Sequence, residues 1–232
     1  MKYIIIGLGN FGSSLATTLC SQGHEVIGID KRENIVQELK DSLTTTMCID
    51  STEEQALRQL QLFEMDAVVV AIGEDWSASI QTTALLKKIG VKRIIGRSIS
   101  QLHKTIIEAI GVSEILNPEL EAAKRITGRL ASKNVVDKHA VSETTSVIEV
   151  CISSDMEGQS LGNIKFEQSM GLKLLAVKRM VEKENILKMK HLVAETIESY
   201  DDSFVLRKDD HVVLFGNTNN FVKFFGAINK LK

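Results

Sequence analysis

Apolar runs of strand length alternate with amphipathic stretches along the first half of the chain. An apolar run over 3–6 precedes a helical stretch over 13–21. A second run over 25–29 precedes a helical stretch over 33–40. The run over 67–71 is continuously apolar, which is typical of a parallel strand buried on both faces. This alternation predicts the α/β class with a Rossmann-like, doubly wound parallel sheet, whose ligands bind at the carboxyl ends of the strands.

The alternation of strands and helices ends at a polar stretch over 132–145. Before it, the remaining predicted elements are strands over 46–49, 93–96 and 114–116 and helices over 54–62, 75–89, 101–110 and 119–131. After it, they are strands over 147–152, 173–179 and 211–216 and helices over 161–168 and 218–228. We therefore predict a Rossmann-like domain over 1–134 and a second, smaller α+β domain over 141–232.

A glycine motif marks the first domain as a nucleotide-binding domain. The first predicted strand leads directly into Gly7-Leu8-Gly9-Asn10-Phe11-Gly12, and the second predicted strand is followed by Asp30. This order of strand, G-x-G-x-x-G, helix, strand and acid is the dinucleotide-binding fingerprint. Its first glycine allows a sharp turn, its second lets a phosphate approach the backbone, and its third lets the helix pack on the sheet. Asp30 is placed to accept hydrogen bonds from a ribose diol.

Polar residues also follow the third, fourth and fifth predicted strands, at the edge of the sheet where a ligand would lie. Asp50 can accept a hydrogen bond from an adenine amino group, and Arg97 can reach a phosphate or a neighbouring subunit. For both residues, a helix N-cap or a solvated loop position is an equally open alternative. Outside the glycine motif, the residues predicted to bind the nucleotide are Asp30, Lys31, Asp50, Ser51, Ala71, Ile72, Gly73 and Arg97.

The charge at the ribose position bears on the choice between NAD and NADP. Asp30 would repel a 2′-phosphate, so the sequence predicts that NADP binds worse than NAD. Lys31 and Arg32 follow immediately. They either offset that repulsion or form the solvated start of a helix.

Composition and charge exclude several classes of function. The 232 residues carry a net charge of −2 and no dense cluster of Lys and Arg, so no nucleic-acid partner is expected. The longest apolar runs are strand-sized, far short of the roughly 20 residues that a membrane helix needs. Because the sequence begins inside a predicted strand, no signal peptide is expected. Cys20, Cys48 and Cys151 are scattered and odd in number, which favours reduced cysteines over a disulfide framework.

The sequence offers a nucleotide site without a recognisable catalytic apparatus. It contains no Tyr-x-x-x-Lys pair, no P-loop and no G-x-S-x-G, and no zinc-ligand spacing. This favours a protein that senses the nucleotide over an enzyme that transforms it. An NAD-dependent oxidoreductase with an unrecognised acid or base stays open as the alternative.

Several stretches, in the same order along nearly the whole chain, match those of a known family. In the first domain they cover 6–12, 23–30, 66–73 and 111–119, and in the second 157–162, 171–179 and 207–216. On these stretches the chain resembles the regulatory subunits of Trk/Ktr-type potassium uptake systems, which carry the RCK fold, also called KTN. A regulator of another cation channel or antiporter is the alternative within this class.

The resemblance implies a cytoplasmic protein that is peripheral to the inner face of the cell membrane. Its N-terminal domains would dimerise, and the dimers would form an octameric ring that docks on an integral-membrane potassium translocator. Exchange of ATP for ADP, or of NAD for NADH, would change the ring and gate ion flow. The resemblance leaves open which nucleotide acts and whether the C-terminal domain binds a small second messenger.

The resemblance also assigns roles to single residues. Gly7, Gly9 and Gly12 would hold phosphate, Asp30 the ribose and Asp50 the adenine. Glu119 resembles an acid that helps to bind a divalent cation at the nucleotide-bound dimer interface. From the residues alone, a carboxylate at this position would complement the helix dipole.

The chain departs from the family at Asn10. Ktr-type members often carry an arginine there, which reaches a γ-phosphate across the dimer. An uncharged amide cannot replace that charge, so the sequence predicts weak discrimination between ATP and ADP. An adenine dinucleotide or a diphosphate fits Asn10 more naturally.

Overall fold

The computed structural model describes residues 1–130, 134–184 and 189–229. The chain divides into two compact units, Met1–Glu121 and Ala122–Lys232. The predicted domain bounds, 1–134 and 141–232, include residues outside the described ranges and stay a prediction. Each unit has its own sheet and its own apolar core.

Six parallel strands form the central sheet of the first unit. The strands are β1 (Lys2–Ile6), β2 (Glu25–Asp30), β3 (Thr45–Cys48), β4 (Ala67–Val70), β5 (Ile94–Arg97) and β6 (Glu114–Leu116). The helices that begin in this unit are α1 (Asn10–Ser21), α2 (Glu33–Glu38), α3 (Glu54–Arg58), α4 (Trp76–Ile89), α5 (Gln101–Ile110) and α6 (Pro118–Leu130), and α6 continues past the unit boundary at Glu121. The strands lie in the order β3-β2-β1-β4-β5-β6, so the strand order reverses between β1 and β4. The predicted doubly wound parallel sheet is confirmed.

Successive residues of β1 pack on opposite faces of the sheet, because side chains alternate along a strand. Ile4 and Ile6 join an apolar cluster that includes Leu86 of α4. Ile5 joins a second cluster that includes Ala16 of α1. All of these side chains are buried, which explains why β1 is apolar at consecutive positions.

The boundaries of some elements differ from the prediction in the first unit. Helix α1 begins at Asn10 rather than at 13, because Gly9 already serves as its N-cap. Helix α3 ends at Arg58 rather than at 62, and a short 3-10 helix follows over Leu62–Glu64. The predicted end of α6 at 131 lies outside the described residues.

The second unit contains an antiparallel sheet of five strands. The strands are β7 (Val135–Ala140), β8 (Thr145–Cys151), β9 (Leu172–Glu184), β10 (Lys190–Ile197) and β11 (His211–Asn217), in the order β10-β9-β11-β8-β7. The helices are α7 (Leu161–Ile164), α8 (Phe166–Met170) and α9 (Thr218–Asn229). This arrangement confirms the predicted α+β character of the second domain. Its core is apolar on the inner face of β8 and β11, for example at Ile148 and Leu214.

In the second unit, two strands and the break between two short helices were not predicted. Strands β7 and β10 lie at the two edges of the sheet. Half of the residues of β7 and six of the eight residues of β10 are exposed, so neither has an apolar alternation to reveal it. The predicted helix over 161–168 is instead two short helices. Lys165 separates them in the left-handed conformation, with φ of 52°, and the residues on either side of it, Ile164 and Phe166, are both buried.

Candidate nucleotide-binding site

A cavity of about 520 Å³ lies at the carboxyl ends of β1, β2 and β4. This is the point of strand-order reversal, where doubly wound sheets bind their ligands. The predicted binding residues that line the cavity are Gly7, Gly9, Asn10, Asp30, Lys31, Asp50, Ser51, Ala71, Ile72, Gly73 and Arg97. Phe11 and Gly12 lie outside this lining. The structure therefore brings most of the predicted set together around one space.

The glycine loop has the shape that a phosphate requires. Gly7 has a φ of +93°, and a Cβ there would lie 2.9 Å from the backbone nitrogen of Ile72. A Cβ on Gly12 would lie 1.9 Å from the carbonyl oxygen of Gly7, so the helix can approach the loop only with glycine at this position. A Cβ on Gly9 would meet no atom within 4 Å. The space over Gly9 is open, and a ligand can come close to the backbone there.

The N-terminus of α1 is the electropositive end of this cavity. Its N-cap is Gly9, no side chain caps it, and its first turn contains no acidic residue. The first N–H groups of a helix have no partner within the helix, and the helix dipole adds a partial positive charge there. A phosphate in the cavity would satisfy both.

Asp30 is the buried acid of the cavity, with 6% of its surface exposed. Its Oδ2 accepts a hydrogen bond from the backbone N–H of Leu8 at 2.8 Å. Its Oδ1 accepts one from the backbone N–H of Arg32 at 2.9 Å. Burial by itself would raise the pKa of Asp30, but the hydrogen bonds from the Arg32 side chain and from the two backbone N–H groups lower it below its usual value. The carboxylate is therefore ionised at neutral pH.

Arg32 forms a two-pronged ion pair with Asp30, in addition to the backbone contact. Its Nε lies 2.9 Å from Oδ1 and its Nη2 lies 3.1 Å from Oδ2. Its Nη1 lies 3.8 Å from a carboxylate oxygen of Glu74, whose side chain is almost fully exposed. The sequence placed Arg32 beside the site but left its role open. Arg32 is the N-cap residue of α2, and its backbone is extended.

Arg97 lies at another wall of the cavity, with its side chain 14% exposed. Its Nη2 donates to Glu119, and its Nη1 donates to the carbonyl oxygen of Ala71 at 3.3 Å. Its guanidinium lies over the ring of Phe11, 5.3 Å from the ring centre. Its Nε is buried and has no hydrogen-bond partner among the described residues. Because the Arg97 guanidinium lines the cavity, its positive charge fits an anionic ligand.

Gly73 and Phe11 hold Arg97 in this place. A Cβ on Gly73 would lie 2.6 Å from Nη1 of Arg97, so the guanidinium lies directly over this glycine. Phe11 supports the guanidinium on another side. Although Phe11 does not line the cavity, it contacts a residue that does.

Asp50 and Ser51 line the cavity but already have partners in the chain. Oδ1 of Asp50 accepts hydrogen bonds from the backbone N–H and the hydroxyl of Thr52, at 3.0 and 2.7 Å. These two bonds lower the pKa of Asp50 below its usual value. The Ser51 hydroxyl is hydrogen-bonded to the Thr82 hydroxyl at 2.8 Å. Thr52 therefore closes the loop after β3, and the adenine role of Asp50 stays a prediction.

Glu119 is the residue for which the sequence predicts a cation. It lies in the first turn of α6, and its carboxylate pairs with Arg97. Its own backbone N–H and Arg97 lower the pKa of its carboxyl. In the part of the chain that the structure describes, no three histidine, cysteine, aspartate or glutamate side chains are grouped so as to hold a metal ion. A cation at Glu119 stays a prediction.

Membrane-spanning character is absent from the described helices. Across residues 1–130, 134–184 and 189–229, no helix has both the length and the apolar character that a membrane crossing requires.

Comparisons with known proteins agree with the fold. The family model described as TrkA-N domain matches residues 3–118, half of the chain. The Ktr system potassium uptake protein C of Bacillus subtilis (strain 168) is 32% identical over 223 residues, which cover 96% of this chain and 95% of that protein. The Ktr system potassium uptake protein A of the same organism is 30% identical over 76% of this chain and 80% of that protein.

Among solved structures, the GsuK channel bound to NAD matches this fold with a TM-score of 0.63 at 15% sequence identity. The match covers 94% of this chain and 38% of that chain, and at this identity it shows a shared fold. The sequence matches carry the family assignment. The predicted resemblance is confirmed, and the chain belongs to the TrkA-N family of Ktr- and Trk-type potassium uptake proteins.

Proposed function

We propose that this protein is a nucleotide-sensing regulatory subunit of a potassium uptake system and has no catalytic turnover of its own. It binds an adenine nucleotide, either NAD or NADH or else ADP or ATP, in the cavity at the carboxyl ends of β1, β2 and β4. One observation carries the proposal. The open space over Gly9 faces the uncapped N-terminus of α1, and the acid Asp30 lines the same cavity.

The names of the relatives support the biological setting. Both Bacillus subtilis relatives are potassium uptake proteins, and the GsuK channel has been solved with NAD bound. In this proposal the chain acts in the cytoplasm, at the inner face of the cell membrane. It assembles as dimers of first units within an octameric ring, and the ring docks on an integral-membrane potassium translocator.

The pair of Arg97 and Glu119 supplies a means of sensing charge in the cavity. The guanidinium of Arg97 lines the cavity and is bound to Glu119 on its outer side. A phosphate over Gly9 attracts Arg97 and weakens its hold on Glu119. The released carboxylate can then join a divalent cation at the dimer interface. In this scheme, replacing Glu119 by Gln reduces the effect of magnesium on nucleotide affinity.

The binding claim is tested by calorimetric titration of ADP and of NAD into the wild-type protein and a Gly9→Val variant. A valine at position 9 has room in the free protein, since a Cβ there meets no atom and the φ of −68° suits any residue. It would occupy the space that the phosphate needs, so affinity should fall by about tenfold or more. Ser14→Val is the matched control, because Ser14 is exposed on α1 and lies outside the cavity lining.

Equal affinity in the Gly9 and Ser14 variants would contradict the placement of the phosphate. Two further measurements test the rest of the proposal. Light scattering should return a homo-oligomer larger than a dimer, and a monomer with and without nucleotide would refute the ring. Hydride transfer from NADH to any added acceptor would favour the oxidoreductase alternative.

A further inference from the structure

We propose that two ion pairs form a strap across the mouth of the nucleotide cavity and set the rate at which the nucleotide exchanges. In one pair, Nζ of Lys31 lies 3.8 Å from Oδ2 of Asp75. In the other, Nη1 of Arg32 lies 3.8 Å from Oε2 of Glu74. All four residues line the cavity. The proposal rests on the proposed nucleotide-binding function and adds a control on access to that site.

The strap connects two strands that are not neighbours in the sheet. Lys31 and Arg32 directly follow β2. Glu74 and Asp75 follow β4, and β1 lies between these two strands. Because neighbouring strands lie about 4.8 Å apart, strands on either side of a third are about 10 Å apart. Both pairs therefore bridge the gap at the carboxyl end of β1, where the glycine loop begins.

The strap lies on the solvent side of the cavity, whereas the proposed ribose acceptor lies deeper. The side chains of Lys31 and Asp75 are 58% and 49% exposed, and that of Glu74 is 91% exposed. Asp30, in contrast, is 6% exposed. A nucleotide bound to Asp30 therefore lies below the strap, and it has to pass the strap in order to enter or to leave.

Both pairs use atoms that other contacts leave free. Arg32 binds Asp30 through Nε and Nη2, so Nη1 remains for Glu74. Asp75 caps α4 through Oδ1, which accepts a hydrogen bond from a backbone N–H of the first turn at 2.9 Å, so Oδ2 remains for Lys31. The strap can therefore open and close while the N-cap of α4 and the pair at Asp30 stay in place.

The strap is weak enough to open and strong enough to slow exchange. A single exposed ion pair contributes little free energy, because water and dissolved ions compete with it. A nucleotide has to break both pairs in order to pass, so the two contributions add in the barrier to entry and in the barrier to exit. We therefore expect the strap to slow association and dissociation by about three- to tenfold.

The test removes the acidic ends of the strap in a Glu74→Gln/Asp75→Asn double variant. Asparagine caps helices as well as aspartate does, so α4 keeps its N-cap. The probe is ethenoadenosine diphosphate, a fluorescent ADP analogue with an unmodified ribose and diphosphate, and stopped-flow mixing gives its association and dissociation rate constants. Both rate constants should rise by about three- to tenfold in the double variant. The rise should shrink between about 0.05 M and about 0.5 M KCl, because salt already weakens the strap in the wild-type protein.

Glu38→Gln is the matched control for charge. Glu38 is an exposed acid that lines the same cavity, and it has no ion-pair partner among the residues that the structure describes. Removing a negative charge beside an anionic nucleotide speeds association but does not speed dissociation. The dissociation rate constant of Glu38→Gln should therefore fall or stay within about twofold of the wild-type value. The single variant Glu74→Gln, which removes the same charge from the strap, should raise it.

The outcomes separate this inference from the function on which it rests. If ADP binds the wild-type protein but the dissociation rate constant of the double variant is unchanged or lower, the inference is wrong and the nucleotide site stands. An equal rise of that rate constant in Glu38→Gln would also overturn the inference, since the loss of charge alone would then explain it. If none of NAD, NADH, ADP and ATP binds the wild-type protein in calorimetric titrations, the proposed function fails and the inference fails with it.

Discussion

Each unit of this protein contains a buried aspartate that binds an arginine in the same way. In the first unit, Asp30 accepts from Nε and Nη2 of Arg32, at 2.9 and 3.1 Å. In the second unit, Asp210 accepts from Nε and Nη2 of Arg179, at 2.9 and 2.7 Å. Both carboxylates also accept backbone N–H groups, and for Asp210 the donor is Arg207 at 2.8 Å. The corresponding donor–acceptor distances of the two pairs agree to within a few tenths of an ångström.

The surroundings of the two pairs differ. Asp210 is fully buried, and Arg179 is 18% exposed, lies over the ring of Phe204 and donates to the carbonyl oxygen of Val205. Arg32 is 41% exposed and lines a cavity. Pairing geometry alone therefore does not separate a structural ion pair from one that a ligand can open. The free space beside the arginine separates them.

The largest expected effect is the loss of the pair in the second unit. Asp210→Asn leaves the Arg179 guanidinium without a counter-charge at a buried site, and breaking such a pair typically costs about 3–5 kcal/mol of unfolding free energy. Asp30→Asn should cost only about 1–2 kcal/mol, since Arg32 can turn toward water. Urea unfolding of the two variants against the wild-type protein measures both losses. Equal losses would show that the two pairs have the same structural role and would break the comparison.

The second effect concerns ligand binding. Here a change in the pair of the first unit should have a larger effect on nucleotide affinity than a change in the pair of the second unit. Asp30→Ala removes the proposed ribose acceptor, and truncating a buried partner costs about 1–3 kcal/mol, which is roughly 5- to 150-fold in affinity. We expect this loss for ADP and for NAD in calorimetric titrations. The control is Arg179→Lys, which perturbs the other pair and should leave both affinities unchanged. Unchanged affinity in Asp30→Ala would refute the ribose assignment.

The fold could be predicted from the sequence wherever strands are buried on both faces. The strands around Ile4 and Val68 are continuous apolar runs, and the glycines that end α4 and α5 mark the helix limits, so the order of elements in the first unit follows from local signals. The edge strands β7 and β10 carry no such signal. Their place depends on backbone hydrogen bonds to β8 and β9, the strands next to them along the chain, and backbone bonds leave no pattern in the side chains.

The site could be predicted as far as a motif specifies it. The glycine loop and Asp30 follow from the fingerprint, and the residues after β3, β4 and β5 follow from the topology of the sheet. Which side chains form ion pairs with one another could not be predicted. That Arg32 turns back onto Asp30, and that Arg97 joins Glu119, depends on rotamers and on the packing of neighbouring side chains such as Phe11.

The third effect comes from a substitution that adds a positive charge to the cavity. Asn10 lines the cavity and offers at most a neutral donor, worth about 0.5–1.5 kcal/mol, whereas a charge-assisted hydrogen bond is worth about 1.5–3 kcal/mol. The wild-type ratio of ATP to ADP affinity should be within roughly tenfold. Asn10→Arg should raise it by about fivefold, with magnesium held constant. A strong ATP preference in the wild-type protein would mean that another residue, with Arg97 the first candidate, reads the γ-phosphate.

The smallest effect is the acid dependence of the pair at the cavity. Burial would raise the pKa of Asp30, but hydrogen bonds from Arg32 and Leu8 bring it below the usual 3.8. A carboxyl whose pKa is lower in the folded than in the unfolded chain stabilises the fold fully above about pH 4, and this contribution is lost as the pH falls through the folded value. The difference in unfolding free energy between the wild-type protein and Asp30→Asn should therefore stay constant near neutral pH and shrink as the pH falls below about 4. Urea unfolding at several pH values measures this difference. The same comparison made in an Arg32→Met background should depend less on pH, because the side-chain hydrogen bonds from Arg32 to Asp30 are gone. A difference that stays constant or widens toward low pH would show that Asp30 is not stabilised as an anion, and the contrast with the second unit would then lose its electrostatic basis.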